Sequence, residues 1–256
     1  MTLQHFSRII AQRSVAEKIN VIAFHAPAIA SSILPGQFLN VRVAESLDPL
    51  LRRPFSIYRT DGETCEILYQ VVGKGTGVLC ERRAGELLDL VGPLGTPFRL
   101  DAPDYQTALL VAGGLGVAPL PITTDHLTRL GKGIATFLGG RTRSLLVRDH
   151  LLNVRVATDD GSEGFHGTVV DLLRDTLDWE EFPSPRIFAC GPIPMLRALG
   201  ELASARGIPC EVSLEGPMAC GIGICQGCPV ELRGETKRYA LMCKEGPVFD
   251  METIIL

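Results

Sequence analysis

The fold is indicated by one stretch of the chain, Ala108-Leu-Leu-Val-Ala-Gly-Gly-Leu-Gly-Val-Ala-Pro119. Its first five residues are all apolar, as in a strand that is buried on both faces of a parallel sheet. Gly113, Gly114 and Gly116 then predict a turn, and a helix is predicted at 119–130. A strand, a glycine turn and a helix in this order are typical of a nucleotide phosphate site, where helix N–H groups meet the ligand. The string does not match G-x-G-x-x-G, so a tight turn without a ligand is the alternative.

On the carboxyl side of this stretch, strands and helices continue to alternate. Further strands are predicted at 134–138, 154–157, 186–189 and 208–214. Further helices are predicted at 145–151, 169–177 and 195–205. Such alternation implies right-handed crossover connections and a parallel sheet. We therefore expect an α/β nucleotide-binding domain over residues 102–214.

On the amino side, short strands are separated by glycine and proline turns. They are predicted at 15–24, 36–44, 56–59, 65–72, 85–91 and 97–100. Asp61-Gly62 is a hairpin signal, and Gly92-Pro-Leu-Gly95 predicts a turn between the last two strands. Short strands separated by such turns indicate an antiparallel barrel or sandwich. We expect this domain to cover residues 1–101, so that the chain as a whole is a multidomain α+β protein.

Composition excludes several classes of protein. The chain has 256 residues, of which 46% are hydrophobic and 21% charged, as in a packed globular protein. Its net charge of −4 argues against a nucleic-acid binder and, weakly, against an anionic membrane partner. The longest near-apolar run, 108–122, is too short and too interrupted to span a bilayer. The N-terminus has no apolar signal-peptide region, so we expect a cytoplasmic protein.

The cysteines of the tail indicate a metal centre. Four of the eight cysteines, Cys220, Cys225, Cys228 and Cys243, are spaced C-x4-C-x2-C-x14-C. This order is the plant-type ferredoxin pattern for a [2Fe–2S] cluster. A structural zinc site is the alternative, although zinc sites usually combine two close cysteine pairs. The tail, 215–256, is too short to bury much of a core, so a metal centre would help to hold it together.

Three further motifs could bind a flavin or a nucleotide. Arg53-Pro54-Phe55-Ser56 offers a guanidinium, beside that of Arg52, for a diphosphate and a hydroxyl for a flavin ring edge. The segment from Tyr69 to Gly77 runs from a strand into a glycine loop whose amides could meet phosphates. Cys190-Gly191-Pro192 lies where a predicted strand ends, so its thiol could face a nicotinamide. Taken singly, these motifs also fit a turn into a strand, a mobile loop and a buried thiol. The five histidines show no metal-site or triad spacing, and no catalytic residue is predicted.

Together, the motifs resemble the ferredoxin–NADP reductase superfamily and, within it, the electron-transfer subunits of type B dihydroorotate dehydrogenase. The resemblance covers essentially the whole chain and is most specific in the cysteine motif and the Arg53-Pro-Phe-Ser56 string. Supporting strings are Leu50-Leu-Arg-Arg-Pro-Phe-Ser-Ile57, Val72-Gly-Lys-Gly-Thr76, Gly92-Pro-Leu-Gly95 and Cys243-Lys-Glu-Gly-Pro-Val-Phe249.

The resemblance implies FAD, a [2Fe–2S] cluster and exchange of electrons with NAD. It implies that FAD is contacted by Arg53, Pro54, Phe55, Ser56, Tyr69, Gln70, Val71, Gly75 and Thr76. It further implies that the four tail cysteines hold the cluster. The partner would be an FMN-containing catalytic subunit that oxidises dihydroorotate, in a heterotetramer of two plus two chains for pyrimidine biosynthesis. We expect the nucleotide to contact Gly113, Gly114, Gly116, Cys190, Gly191 and Pro192.

Two questions stay open at the level of sequence. Asp159 and Asp160 could accept a hydrogen bond from a ribose hydroxyl, which favours NAD, whereas Arg141 and Arg143 could attract the 2′-phosphate of NADP. The partner could also differ, since the same layout occurs in the small subunit of an NADH-dependent ferredoxin:NADP transhydrogenase and in sulfhydrogenase-type diaphorases. An NAD-sensing module with a structural zinc tail is the rival from another class.

Overall fold

The computed structural model describes residues 3–234 and 238–256. These residues form the strands β1 (Leu3–Ala16), β2 (Ile19–His25), β3 (Phe38–Arg42), β4 (Arg53–Asp61), β5 (Thr64–Gln70), β6 (Leu87–Leu94), β7 (Thr107–Gly113), β8 (Gly133–Gly140), β9 (Val154–Thr158), β10 (Phe165–His166), β11 (Pro185–Cys190), β12 (Cys210–Ser213), β13 (Pro229–Glu231), β14 (Tyr239–Leu241) and β15 (Val248–Asp250). The α-helices are α1 (Pro27–Ala30), α2 (Lys74–Glu81), α3 (Leu120–Arg129), α4 (Val169–Trp179) and α5 (Ile193–Arg206). Short 3₁₀ turns lie at Gly114–Val117, Arg143–Leu145 and Met251–Thr253. In the part of the chain so described, no helix is long and apolar enough to cross a membrane.

The first six strands close into an antiparallel barrel, as the sequence predicted. Their order is β1-β2-β5-β4-β3-β6. Alternate residues of each strand point inward, as the period of a strand requires. They form a core that includes Ile9, Ile22, Phe24, Leu39, Ile57 and Ile67.

Three local predictions in this half are wrong. The first strand begins at Leu3 and not near residue 15, and it pairs with both β2 and β6. Gly92-Pro-Leu-Gly95 is not a simple turn, because β6 continues through Leu94, which pairs with Phe38. The strand predicted at 97–100 is absent, since that segment leads irregularly out of the barrel.

The second sheet has the order β10-β9-β8-β7-β11-β12-β15. Its strands from β10 to β12 are parallel, which confirms the α/β prediction. The edge strand β15 comes from the tail and runs antiparallel to β12. Cys228, Val230 and Met242 of the tail share one buried core with residues of the sheet and of α4 and α5. The tail is therefore stabilised by packing against the sheet as well as by its own contacts.

Two helix predictions need correction. The helix predicted at 145–151 is absent: a 3₁₀ turn ends at Leu145, and His150 adopts a left-handed φ of 63° that an α-helix cannot accommodate. Its apolar spacing arises instead from an irregular segment in which Val147 is buried. Conversely, α2 was predicted as a glycine loop, since glycine disfavours helix. Burial of Leu79 in the barrel core overrides that propensity.

A buried ionic network joins the barrel exit, the sheet and the tail. Glu211 is 2% exposed and receives hydrogen bonds from Arg99 Nε at 3.0 Å and from Arg186 Nη1 at 3.3 Å. Arg186 also contacts Asp104 at 2.6 Å, and Arg99 contacts Asp250 of β15 at 3.3 Å. These contacts fix the relative positions of the three parts at the end of the sheet opposite to Cys190.

Candidate functional site

A first cavity of about 510 Å³ lies between the barrel, the first turn of α2 and the start of the tail. Eight of the nine residues predicted to contact FAD line this cavity. They are Arg53, Pro54, Phe55, Ser56, Tyr69, Gln70, Gly75 and Thr76. The ninth, Val71, packs against the barrel core and does not line the cavity.

The polar end of this cavity is formed by Arg53 and the N-terminus of α2. A Cβ atom on Gly75 would lie 2.9 Å from Arg53 Nε, so only glycine lets the guanidinium lie against the first turn of the helix. Gly73 precedes the helix and has no capping side chain, while Thr76 Oγ1 accepts the N–H groups of Val72 and Gly73. A guanidinium beside a helix N-terminus is suited to bind a diphosphate.

Two other cations near this site are engaged by carboxylates. Arg52 Nη2 contacts Asp89 Oδ2 at 2.7 Å, and Nη1 of the same residue donates to the carbonyl of Asp89. Lys74 Nζ pairs with Asp48 at the cavity mouth. The guanidinium of Arg52 is thus directed to β6, which leaves that of Arg53 for a diphosphate.

The apolar end of the first cavity suits a flat aromatic ring system. Phe55 and Tyr69 contact each other edge to face, with ring centroids 6.1 Å apart. Tyr69 is fully buried, and burial raises the pKa of its phenol, so the hydroxyl is neutral at physiological pH. Ser56 supplies a hydroxyl beside these rings on the cavity wall. A cradle with a cationic end and an aromatic end fits FAD.

A second cavity of about 690 Å³ lies at the carboxyl ends of the parallel strands. Gly113, Gly114, Gly116 and Pro192 line it, as predicted for a nucleotide site. A Cβ on Gly116 would stand 2.1 Å from the carbonyl oxygen of Cys190, so the glycine turn packs directly on the end of β11. Ligands of parallel sheets bind at this edge.

The structure separates the residues considered for nucleotide selectivity. Asp159 and Arg141 line the second cavity, whereas Asp160 and Arg143 do not. The N–H of Ser162 donates to Asp160 Oδ1 at 2.9 Å, and the hydrogen bonds from Ser162 hold the pKa of that carboxyl below its usual value. The N–H of Arg143 donates to Ser162 Oγ. Of these four side chains, only Asp159 and Arg141 thus face the second cavity.

The two cavities meet at Gln70, Leu115 and Glu215, which line both. Burial raises the pKa of the Glu215 carboxyl, and the Cys190 thiol donates to its Oε1 at 3.7 Å. Cys190 is completely buried, and burial raises the pKa of its thiol far above the ordinary value, so it is a neutral donor. Cys190 and Gly191 lie just behind the second cavity and do not line it. Sequence reasoning missed Glu215, although its place directly after the last parallel strand was a usable signal.

The first two tail cysteines lie on a loop that directs N–H groups at sulfur. Cys220 Sγ accepts the N–H of Cys225 at 3.4 Å and that of Ile222 at 3.5 Å. These bonds, chiefly the one from Cys225, lower the pKa of the Cys220 thiol to about 6. Gly221 and Gly223 adopt left-handed φ values of 72° and 85°, which wrap the loop around the sulfur. A thiolate stabilised in this way is suited to bind iron.

The other two tail cysteines form a buried pair. Cys228 Sγ and Cys243 Sγ are 3.3 Å apart, one at the start of β13 and the other just after β14. Cys225 is exposed, and its sulfur accepts the N–H of Gly227 at 3.4 Å. Within residues 3–234 and 238–256, no three His, Cys, Asp or Glu side chains are arranged to hold a single metal ion. Four cysteine sulfurs on one tail segment, with amide N–H groups directed at two of them, are a donor set that fits an iron–sulfur cluster.

Solved structures place this architecture in a class. A ferredoxin NADP+ reductase from Neisseria gonorrhoeae with bound FAD and NADP shares the fold, with a TM-score of 0.68 and 16% identity over 80% of this chain and 92% of that chain. An NADH-dependent reduced ferredoxin-NADP oxidoreductase, studied for flavin-based electron bifurcation, is more similar. Its TM-score is 0.86 and its identity 30% over 97% of this chain and 89% of that chain. The fold and the site thus define a ferredoxin–NADP reductase-like oxidoreductase with a C-terminal iron–sulfur module.

Sequence relatives identify the family within this class of oxidoreductases. The iron-sulfur cluster binding domain of dihydroorotate dehydrogenase B matches residues 215–255. The dihydroorotate dehydrogenase B (NAD(+)) electron transfer subunit of Geobacillus thermodenitrificans is 37% identical over 97% of both chains. The subunits of Bacillus caldolyticus and Enterococcus faecalis are 38% and 36% identical over at least 97% of each chain. The chain belongs to the family of dihydroorotate dehydrogenase B electron transfer subunits.

Proposed function

We propose that this chain carries electrons from a dihydroorotate-oxidising subunit, through a [2Fe–2S] cluster and FAD, to NAD+ in pyrimidine biosynthesis. The observation that carries the proposal is the continuity of the three sites. The first cavity shares Glu215 and Gln70 with the second, and its wall includes Met218, two residues before Cys220. The tail loop, the first cavity and the second cavity therefore follow one another through shared or neighbouring residues, in the order that the proposed electron route requires.

The first cavity would hold FAD through residues whose placement matches its parts. Arg53 and the free N–H groups of the first turn of α2 would bind the diphosphate. Ser56, Tyr69 and Gln70 would orient the ring system, with Phe55 packed on Tyr69. When bound, the flavin supplies the exchange between single electrons and the electron pair of NAD.

The second cavity would hold NAD(H) with its nicotinamide toward the shared wall. The turn at Gly113–Gly116 presents N–H groups to the phosphates, and Asp159 accepts a hydrogen bond from the ribose. Glu215 lines both cavities at the junction, and the buried Cys190 thiol donates to it from behind. We infer a preference for NAD, which Michaelis constants measured with NADH and NADPH would test.

Cys220, Cys225, Cys228 and Cys243 would ligate the cluster. Exposure of Cys225 and of Ile224, which is 77% exposed, leaves this loop accessible to a partner chain. The partner would be an FMN-containing subunit that oxidises dihydroorotate, assembled as two plus two chains. A cytoplasmic location is part of the same proposal.

The test is anaerobic reconstitution of the FAD- and cluster-loaded chain with the FMN-containing subunit from the same source. NADH formation from dihydroorotate and NAD+ that requires both chains is the expected result. The likeness to the reduced ferredoxin-NADP oxidoreductase makes a second function testable in the same preparation. Reduction of NADP+ by reduced ferredoxin and NADH, without any dihydroorotate-dependent NADH formation, would assign that function instead.

A further inference from the structure

Asn40 joins the flavin-side barrel to the first cysteine loop. It lies on β3, is 1% exposed, and its Nδ2 donates to the carbonyl oxygen of Cys220 at 3.1 Å. The two residues are 180 positions apart in the chain. This bond therefore connects two structural units that chain connectivity leaves free to separate.

The amide of Asn40 is in close contact with the loop itself. A Cβ on Gly221 would lie 2.5 Å from Asn40 Nδ2, so the loop backbone is pressed against this side chain. The Oδ1 atom of Asn40 is buried with no hydrogen-bond partner among the described residues. A buried oxygen without a partner is costly, and an apolar side chain of similar size would avoid that cost. In return, the amide supplies an N–H donor to the loop, which an apolar side chain could not do.

The other side of Asn40 leads to the first cavity. Across the β3–β4 ladder it pairs with Pro54, which lines that cavity, and Phe38 on the same strand lines it too. Arg52, anchored on Asp89, lies 3.5 Å from the carbonyl oxygen of Asn40 and holds this part of β3 in place. The position of the Cys220 loop is thus fixed relative to β3 and β4, the strands that would hold the flavin.

We propose that Asn40 is a positioning residue for the iron–sulfur cluster. Its amide fixes the loop of Cys220 relative to the flavin cavity and thereby sets the environment of the cluster and its retention. The inference rests on the proposed function only in requiring that the tail binds a cluster. It does not require dihydroorotate, the partner subunit or NAD+ as acceptor.

The test uses the full chain loaded with FAD and cluster, without a partner subunit. In Asn40→Leu the carbonyl of Cys220 loses its donor, and we expect iron release to a chelator to be about five- to tenfold faster, as for loss of one buried hydrogen bond. In Asn40→Asp the donor is lost and a negative charge is added, so the midpoint potential of the cluster should also fall. Asn20→Leu is the matched control, because Asn20 is a buried barrel amide that donates to Cys80 instead.

A glycine variant tests the same contact from the loop side, so that misfolding of the barrel cannot obscure the outcome. Gly221→Ala places a methyl group against Asn40, whereas the control Gly207→Ala adds left-handed strain in open space at the end of α5, away from the loop. We expect Gly221→Ala to change the electron paramagnetic resonance signal of the reduced cluster and Gly207→Ala to leave it near that of wild type. FAD content and NADH:ferricyanide activity should be retained in both.

Wild-type iron release, midpoint potential and resonance signal in Asn40→Leu, Asn40→Asp and Gly221→Ala would overturn the inference. So would equal effects in Asn20→Leu or Gly207→Ala, since these would reflect general destabilisation. A wild-type chain that binds no cluster would instead contradict the proposed function. The two failures are therefore distinguishable in one set of samples.

Discussion

Gly116→Ala should separate nucleotide binding from flavin binding. The added Cβ would stand 2.1 Å from the carbonyl oxygen of Cys190, whereas ordinary contact begins at 3.4 Å, so the turn must move by about 1.3 Å relative to β11. Both sides of this contact are backbone and cannot rotate away. Overpacking of this kind costs roughly 1–3 kcal/mol, and we expect the upper end of that range.

Much of that cost should appear in nucleotide binding, because the three glycines of the turn line the second cavity and not the first, and only Leu115 of the turn lines both. A loss of about 1.4 to 3 kcal/mol corresponds to a roughly tenfold to hundredfold higher dissociation constant for NADH. The assay is NADH titration of the FAD-loaded chain, with FAD content measured in parallel. Gly207→Ala is the control: it has a φ of 62° in open space at the end of α5, so it costs about 1 kcal/mol of stability away from both cavities. Wild-type NADH affinity in Gly116→Ala, or an equal loss in Gly207→Ala, would refute the reasoning.

Three further predictions concern the cavities and the ionic network. Arg53→Met should weaken FAD binding by roughly tenfold or more, since a charge-assisted bond to phosphate is lost. Arg52→Met should lower the stability of the fold but leave the affinity for FAD intact, and equilibrium dialysis with FAD distinguishes the two variants. Glu215 has a raised pKa when folded, so the folded protein binds more protons than the unfolded chain and loses stability as pH rises from 4.5 through the raised pKa. Glu215→Gln should remove that slope in urea unfolding, and an unchanged slope would show that folding does not shift the pKa of this carboxyl. Glu211→Gln should cost about 3 kcal/mol in the same assay, because it removes the buried carboxylate beside Arg186 and leaves only the exposed one of Asp104; a loss below about 1 kcal/mol would show that water or Asp104 replaces the bond.

Local patterns predicted most of the fold because they agree with the tertiary packing. The apolar run of β7 reflects burial on both faces, and this strand forms where expected. β3 also forms within its predicted range, but both of its faces are buried, because Asn40 lies against the tail loop. The helix predicted at 145–151 failed because a left-handed residue at His150 is set by loop geometry, which side-chain spacing does not report. Helix α2 was missed because burial of Leu79 outweighs the low propensity of its glycines.

The residues of the candidate site were likewise predictable only in part. Arg53, Ser56 and the glycines of the Gly113–Gly116 turn were predictable because their chemistry is local to a motif. Asn40 was not, since it acts on Cys220 across 180 positions that only the folded chain brings together. Glu215 was missed although its place after the last parallel strand was a usable signal. The ion pair of Arg52 with Asp89, 37 residues away, is likewise visible only in the folded chain.

Cys225→Ser tests the central claim most directly, because Cys225 is exposed and lies outside the walls of both cavities. Cys80→Ser, which alters another exposed thiol, is the matched control. With the partner subunit present, we predict that Cys225→Ser retains FAD and NADH:ferricyanide activity but loses dihydroorotate-driven NADH formation, while Cys80→Ser retains both. Unchanged coupled turnover in a Cys225→Ser preparation shown to lack the cluster would contradict the proposed route.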